Sequence, residues 1–258
     1  MTELNEALFS GVRLKIKRAG EHIQDFEGHI LRFVRDHGHS VRVHHKTNTG
    51  RDALEFLPCQ AIPQDLMSIA GDAIHNLRSA LDFAMSDIEF ATTGKRTEDV
   101  TFPARKTRDQ VEAAIRRRLE HKAPKRVLDY IVQSIQPYEG GKGDPIWQLH
   151  RLDIVDKHRL IVPHLQFEWV RNIRYVDETG ETFTVPEWAV TQARSLMIPT
   201  EKRGVQVTYK GNATVGILFG HGMPLERRLI FPTLNNLAVF VSRTLLVLER
   251  EFSKSRNK

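Results

Sequence analysis

The chain has 258 residues, 40% of them hydrophobic, enough to bury one large core or two moderate ones, so a folded protein is expected and a disordered one excluded. Its single cysteine, Cys59, excludes an intrachain disulfide framework and any zinc site built on several thiolates; it fits a reducing compartment and reads as a small core or strand residue. The formal net charge of +6 is modest, the opening Met-Thr-Glu-Leu-Asn-Glu has no apolar leader, and the apolar run at 237–248 is broken by Ser242 and Arg243, so a cytoplasmic protein is expected.

In chain order the first element is a long amphipathic helix over 3–35, with Val12, Ile16, Ala19, Ile23, Phe26, Ile30 and Phe33 spaced three and four apart. Such a stripe needs a packing partner. Strands follow at 41–45 and 54–60, joined through Thr47-Asn-Thr-Gly-Arg-Asp52, a turn-rich connection suited to a hairpin. Four helices come next, at 63–91, 107–121, 124–135 and 144–159. Gly140-Gly-Lys-Gly143 breaks the chain before the last, where Asp144 is the expected N-cap and Pro145 the first helical residue. From 160 onward the pattern alternates, predicting strands at 160–176, 181–185, 205–209, 215–219 and 228–231, then a helix at 233–252 and a frayed basic tail at 254–258. The class predicted is α+β in a single domain over 1–258. A helical centre at about 63–159 follows the long helix and hairpin, and an antiparallel β-rich layer at about 160–232 is closed by the C-terminal helix.

Two helical cassettes mix ionisable side chains with apolar spacing: 71–83, which carries Asp72, His75, Asn76, Arg78, Ser79 and Asp82, and 149–159, which carries His150, Arg151, Asp153, Asp156, Lys157 and His158. Projected at about 100 degrees per residue, the first gathers Ile69, Ala73, Leu77, Leu81, Ala84 and Ile88 on one side. Asp72, His75, Asn76, Ser79 and Phe83 lie opposite, flanked by Arg78 and Asp82. That second face is suited to contact, including contact between copies of the chain. In the second cassette no clean polar face emerges: His150, Asp153 and Lys157 share one side, while Arg151 and His158 lie on another. Charges interleaved with buried residues either pair or shift their pKa values, so this helix is a salt-bridged core element or the wall of a site.

Between 105 and 126 the basic residues far outnumber Asp109, Glu112 and Glu120. Arg116, Arg117, Arg118, Lys122, Lys125 and Arg126 form the candidate nucleic-acid-binding stripe, because clustered cations attract phosphate backbones by releasing condensed counterions. The alternative is a solvated helix face.

Asp72-Ala-Ile-His-Asn-Leu-Arg-Ser-Ala-Leu-Asp82, Phe102-Pro103, Ile135-Gln-Pro-Tyr138 and the Asp-Lys-His-Arg that ends at Arg159 resemble a widespread bacterial family of actinobacterial type, over roughly residues 65 to 162. The resemblance implies no particular activity. In the family pattern the first cassette often closes Arg-Ser-Ala-Leu-Asp-His, a spacing similar to that of HEPN ribonucleases. Those are helical proteins in which Arg and His of two protomers face each other and RNA is cleaved by its own 2′-hydroxyl without metal. Here Phe83 replaces that histidine and cannot transfer a proton. The remote likeness implies His75, Arg78, Asp82, Arg151, Asp156 and His158 as catalytic candidates. Arginine would hold a phosphate and histidine would move a proton.

Asp72 with His75, and His150 with Asp153, have three-residue spacings compatible with metal ligation, and His37, His39, His44 and His45 form a further group. No Glu-x-x-His motif accompanies the two pairs, and the histidine group, on a turn and strand, reads more simply as surface histidines. No P-loop, dinucleotide fingerprint or nucleophile elbow is present, so no cofactor is expected. The leading expectation is an interaction or nucleic-acid-binding protein, self-associating, with RNA or another anionic partner; the alternative is a metal-independent HEPN-like ribonuclease.

Overall fold

The structure is a computed structural model that describes residues 8–46, 50–58, 61–189 and 196–256. Cys59 lies outside them, as do residues 47–49 of the expected turn and the start of the expected first helix. Helix α1 (Ser10–His37) buries Val12, Ala19, Ile23, Phe26 and Ile30, the stripe expected from its spacing. It begins after Phe9, whose backbone N–H donates to the buried Asp87 carboxylate of α2 (Gln64–Thr93) at 2.8 Å. This bond ties the chain's entry to the central helix. Helix α2 ends at Gly94, whose left-handed φ of 73° lets its N–H reach Phe90 O at 2.8 Å.

Helices α3 (Arg108–Arg118), α4 (Lys125–Tyr130) and α5 (Asp144–His158) follow α2. The expected 124–135 helix changes character at its end: Ile131–Ile135 is a π-helical turn that closes on Gln136, with φ 57°. The expected N-cap of α5 is also corrected. Gly143 occupies that place, Asp144 is already helical, and its carboxylate accepts Gly140 N–H at 3.2 Å. Tucked-in glycines explain the shift: a Cβ at Gly143 would meet Gln136 O at 3.1 Å, so only glycine lets the loop fold this closely.

Strands β1 (His39–Lys46) and β2 (Arg51–Pro58) form the expected hairpin, but a third strand, β5 (Leu196–Pro199), extends it beside β2. Only four residues long, β5 shows too little alternation to be read locally. The second sheet centres on β3 (Pro163–Val176), flanked by β4 (Thr182–Ala189), β6 (Gln206–Tyr209) and β7 (Asn212–Phe219), all antiparallel to it. A register shift between Phe167 and Trp169, and Asn172 at φ 60°, let Phe167, Val170 and Ile173 all point inward despite three-residue spacing. The two sheets meet over Leu54, Phe56, Phe167, Val170, Ile173, Tyr175 and Ile198, with the Phe56 and Phe167 rings edge to face at 5.6 Å.

The expected strand at 228–231 is reduced to one bridge, Leu218 with Leu229, and α6 (Ile230–Arg256) starts there. Pro232 falls in its first turn, where a missing N–H costs nothing. By length and mean hydropathy of 1.4 this helix could cross a membrane. It packs Leu234, Leu237, Val241, Leu245, Leu248 and Phe252 into the helical core. The architecture is α+β, with a helical core and a two-sheet core touching through Leu165.

Candidate functional site

Helix α2 is central because apolar side chains cover much of its circumference. Ile74, Leu77, Leu81, Met85 and Ile88 are fully buried, and the small residues Ala70, Gly71, Ala73 and Ala80 admit close neighbours. Its polar face is divided between two helices. Toward α1, Lys15 Nζ donates to Asn76 Oδ1 at 3.2 Å and lies 5.7 Å from the Phe83 ring centre. A Cβ at Gly11 would meet Phe83 Cδ1 at 2.8 Å. This part of the face expected to serve another copy of the chain is therefore covered by α1 itself.

Toward α5 the two cassettes meet. Ascending α2 encounters descending α5: Gly71 lies under the Asp156 carboxylate, His75 Nδ1 is 3.1 Å from Asp153 Oδ1, and Arg78 is near His150. Asp153, with a side chain only 4% exposed, also accepts Lys157 Nζ at 2.6 Å through its second oxygen. His75 Nε2 lies 3.4 Å from Ser79 Oγ. Asp156 Oδ1 is buried without a hydrogen bond among the described residues, and its pKa is raised by burial and by Asp153 and Asp72, against the pull of His75.

Arg78 and Asp82 are committed to the backbone of Phe102. Asp82 Oδ1 accepts Phe102 N–H at 2.8 Å, Arg78 Nη2 donates to Phe102 O at 3.0 Å, and the two side chains form an ion pair, Nη2 to Asp82 Oδ1, at 2.9 Å. The arginine and carboxylate thus replace a strand partner for one buried peptide, which links the Arg-Ser-Ala-Leu-Asp and Phe-Pro marks physically. Burial raises the Asp82 pKa while Arg78 and the Phe102 N–H oppose it. Arg105 N–H donates to Pro137 O at 3.2 Å, joining the Gln-Pro-Tyr turn to the same unit.

His150 sits at the inner end of the cluster, its ring centre 5.7 Å from that of Trp147. Burial and the nearby Arg78 and Arg105 guanidiniums push its pKa down to about 4, so it is neutral near neutral pH. Arg78 Nη1, His150 Nδ1 and Trp147 Nε1 are buried without hydrogen bonds among the described residues.

Of the six catalytic candidates, His75, Arg78, Asp82 and Asp156 face the α2–α5 seam. Arg151 and His158 do not join them: both are exposed, Arg151 reaches only Gln148, at 3.5 Å, and no bond joins His158 to the cluster among the described residues. They lie on another side of α5, as their spacing implied. The catalytic candidates do not include Asp153 and Lys157, although these share a helix side with His150. That shared side was the available signal.

The basic stripe also divides. Lys122 Nζ is 2.6 Å from Asp99 and 3.6 Å from the buried Glu89, holding Asp99 down to about 2. Arg126 pairs at 2.6 Å with Glu251, 6% exposed, and Arg116 only loosely, at 3.9 Å, with Glu112. Arg117, Arg118 and Lys125 have no ion pair among the described residues. Arg105 has its pKa lowered by burial and by Arg118, Arg78 and Arg117. The expected histidine group is dispersed too: His44 and His45 pair with Glu55 and Asp52 at 2.6 and 3.0 Å, while buried His39 contacts Lys210 O at 3.0 Å.

The fold and site therefore define an α+β protein with a polar helix seam beside a guanidinium cluster. Comparison with protein-family models, with characterised proteins and with solved structures finds no match to this chain.

Proposed function

We propose that the chain is a cytoplasmic protein that binds RNA through Arg105, Arg117, Arg118 and Lys125. The observation carrying this reading is that Arg117, Arg118 and Lys125 have no ion pair among the described residues, beside an Arg105 whose pKa is lowered first by burial and then by Arg118, Arg78 and Arg117. Like charges held together repel, and a phosphate backbone relieves that repulsion while releasing counterions. Arg116 adds an exposed, loosely paired guanidinium to the same helix. Lys122 and Arg126 drop out of the binding set, since moving either strips a partner from a buried carboxylate.

The test is fluorescence anisotropy of a single-stranded RNA over a salt series. Wild type is expected to bind with log affinity falling linearly against log salt. In Arg117→Gln/Arg118→Gln the slope should shrink by about 1.4, roughly 0.7 per lost phosphate contact. Absence of binding at low salt, or an unchanged slope in the double variant, rejects the reading. Cleavage of that RNA in EDTA, lost in His75→Ala, would move the conclusion to a metal-independent ribonuclease.

A further inference from the structure

Serine and threonine inside helices commonly donate their hydroxyl to the carbonyl four residues back. Thr92, Thr93, Ser242, Thr244 and Ser253 all do so here, at 2.7 to 2.9 Å. Ser79, in the middle of α2, has no such bond among the described residues; its Oγ lies 3.4 Å from His75 Nε2. The other ring nitrogen, Nδ1, is 3.1 Å from Asp153 Oδ1, on a carboxylate 4% exposed. A carboxylate only accepts, so it holds the ring proton on Nδ1 and leaves the Nε2 lone pair toward the serine. Lys157, 2.6 Å from the second Asp153 oxygen, fixes that carboxylate in turn. The His75 side chain is 50% exposed and Ser79 is half-buried, so a solute reaches the pair from outside.

We propose that Ser79 is a nucleophile, with His75 as its general base and Asp153 as the residue that positions His75. The substrate class is small activated carboxylic esters. Ser79 Oγ bonds to the ester carbonyl carbon as its proton passes to His75 Nε2. The C–O bond to the leaving alcohol then breaks, and the alcohol takes that proton. Water repeats the sequence on the acyl-serine, releasing the carboxylic acid and restoring Ser79. Mid-helix N–H groups are already bonded within the helix and give no paired donors to a tetrahedral oxyanion. The lack of such donors limits the reaction to esters with good leaving groups and excludes amides. The activity stands apart from RNA binding, because Arg117 and Arg118 take no part in it.

The intact protein is treated with a fluorophosphonate probe and read by mass spectrometry. The P–F bond breaks, fluoride leaves, and Ser79 carries the phosphonyl group. One adduct per chain, mapped to Ser79, is expected, together with a burst of nitrophenol from p-nitrophenyl acetate. Ser79→Ala abolishes both. His75→Gln slows labelling roughly a hundredfold or more. Because Ser79→Ala places a strong helix former at a half-buried position, it keeps the test clear of unfolding, which circular dichroism checks. An unlabelled wild type, or equal labelling in Ser79→Ala, overturns the proposal.

Discussion

At the residue scale, His150 couples folding to pH. Its native pKa of about 4 lies below the ordinary 6.5, so the unfolded chain binds a proton that the native ring refuses. Stability from this group is complete above about 6.5 and is lost as the pH falls toward about 4. Asp82 and Asp156 act with the opposite sign, since carboxyls raised above 3.8 favour the native state as pH drops through their native values. The comparison of wild type with His150→Gln isolates the histidine. Urea unfolding should show wild type losing about 1 kcal/mol more than the variant between pH 7 and pH 5, allowing for the ring's partial exposure. Equal losses would contradict the assignment. Arg78 was legible as important from its cassette, but the reason was not: only the fold shows it holding the Phe102 peptide.

Among the elements, the α2–α5 seam depends on Gly71, where an added Cβ would land on the Asp156 carboxylate. Glycine inside a helix is normally a weakness, and Gly→Ala there usually stabilises by up to about 1 kcal/mol. Here the sign should reverse. Gly71→Ala is expected to cost about 1–3 kcal/mol by overpacking, with the melting temperature falling roughly 2–4 °C per kcal/mol. A rise in melting temperature would show that the helices do not approach this closely. The helices were readable because their stripes are long and periodic. The α5 N-cap was misread because its loop geometry is set by Gly141 and Gly143 packing on Gln136, a contact outside the local pattern. The strand expected at 228–231 failed because α6 already starts at Ile230, with Pro232 inside its first turn rather than before the helix.

Across the whole molecule, a helical core and a two-sheet core are separate clusters linked through Leu165. Phe56, fully buried between His39 and Phe167, anchors the second. Phe56→Ala should cost about 3–5 kcal/mol. Hydrogen exchange should show faster opening in β2, β3 and β5 while α2 amides keep their protection. Equal loss in α2 would make the two cores a single cooperative unit. Sequence by itself determined the α+β class, the positions of the long helices and the faces they bury, because apolar periodicity is a local property of the chain. Tertiary structure alone decided that β5 completes the hairpin's sheet, that Lys122 and Arg126 are held by buried acids, and that Asp153 meets His75 beside Ser79. Periodicity fixes which side of a helix a polar group occupies; only packing fixes what waits across from it.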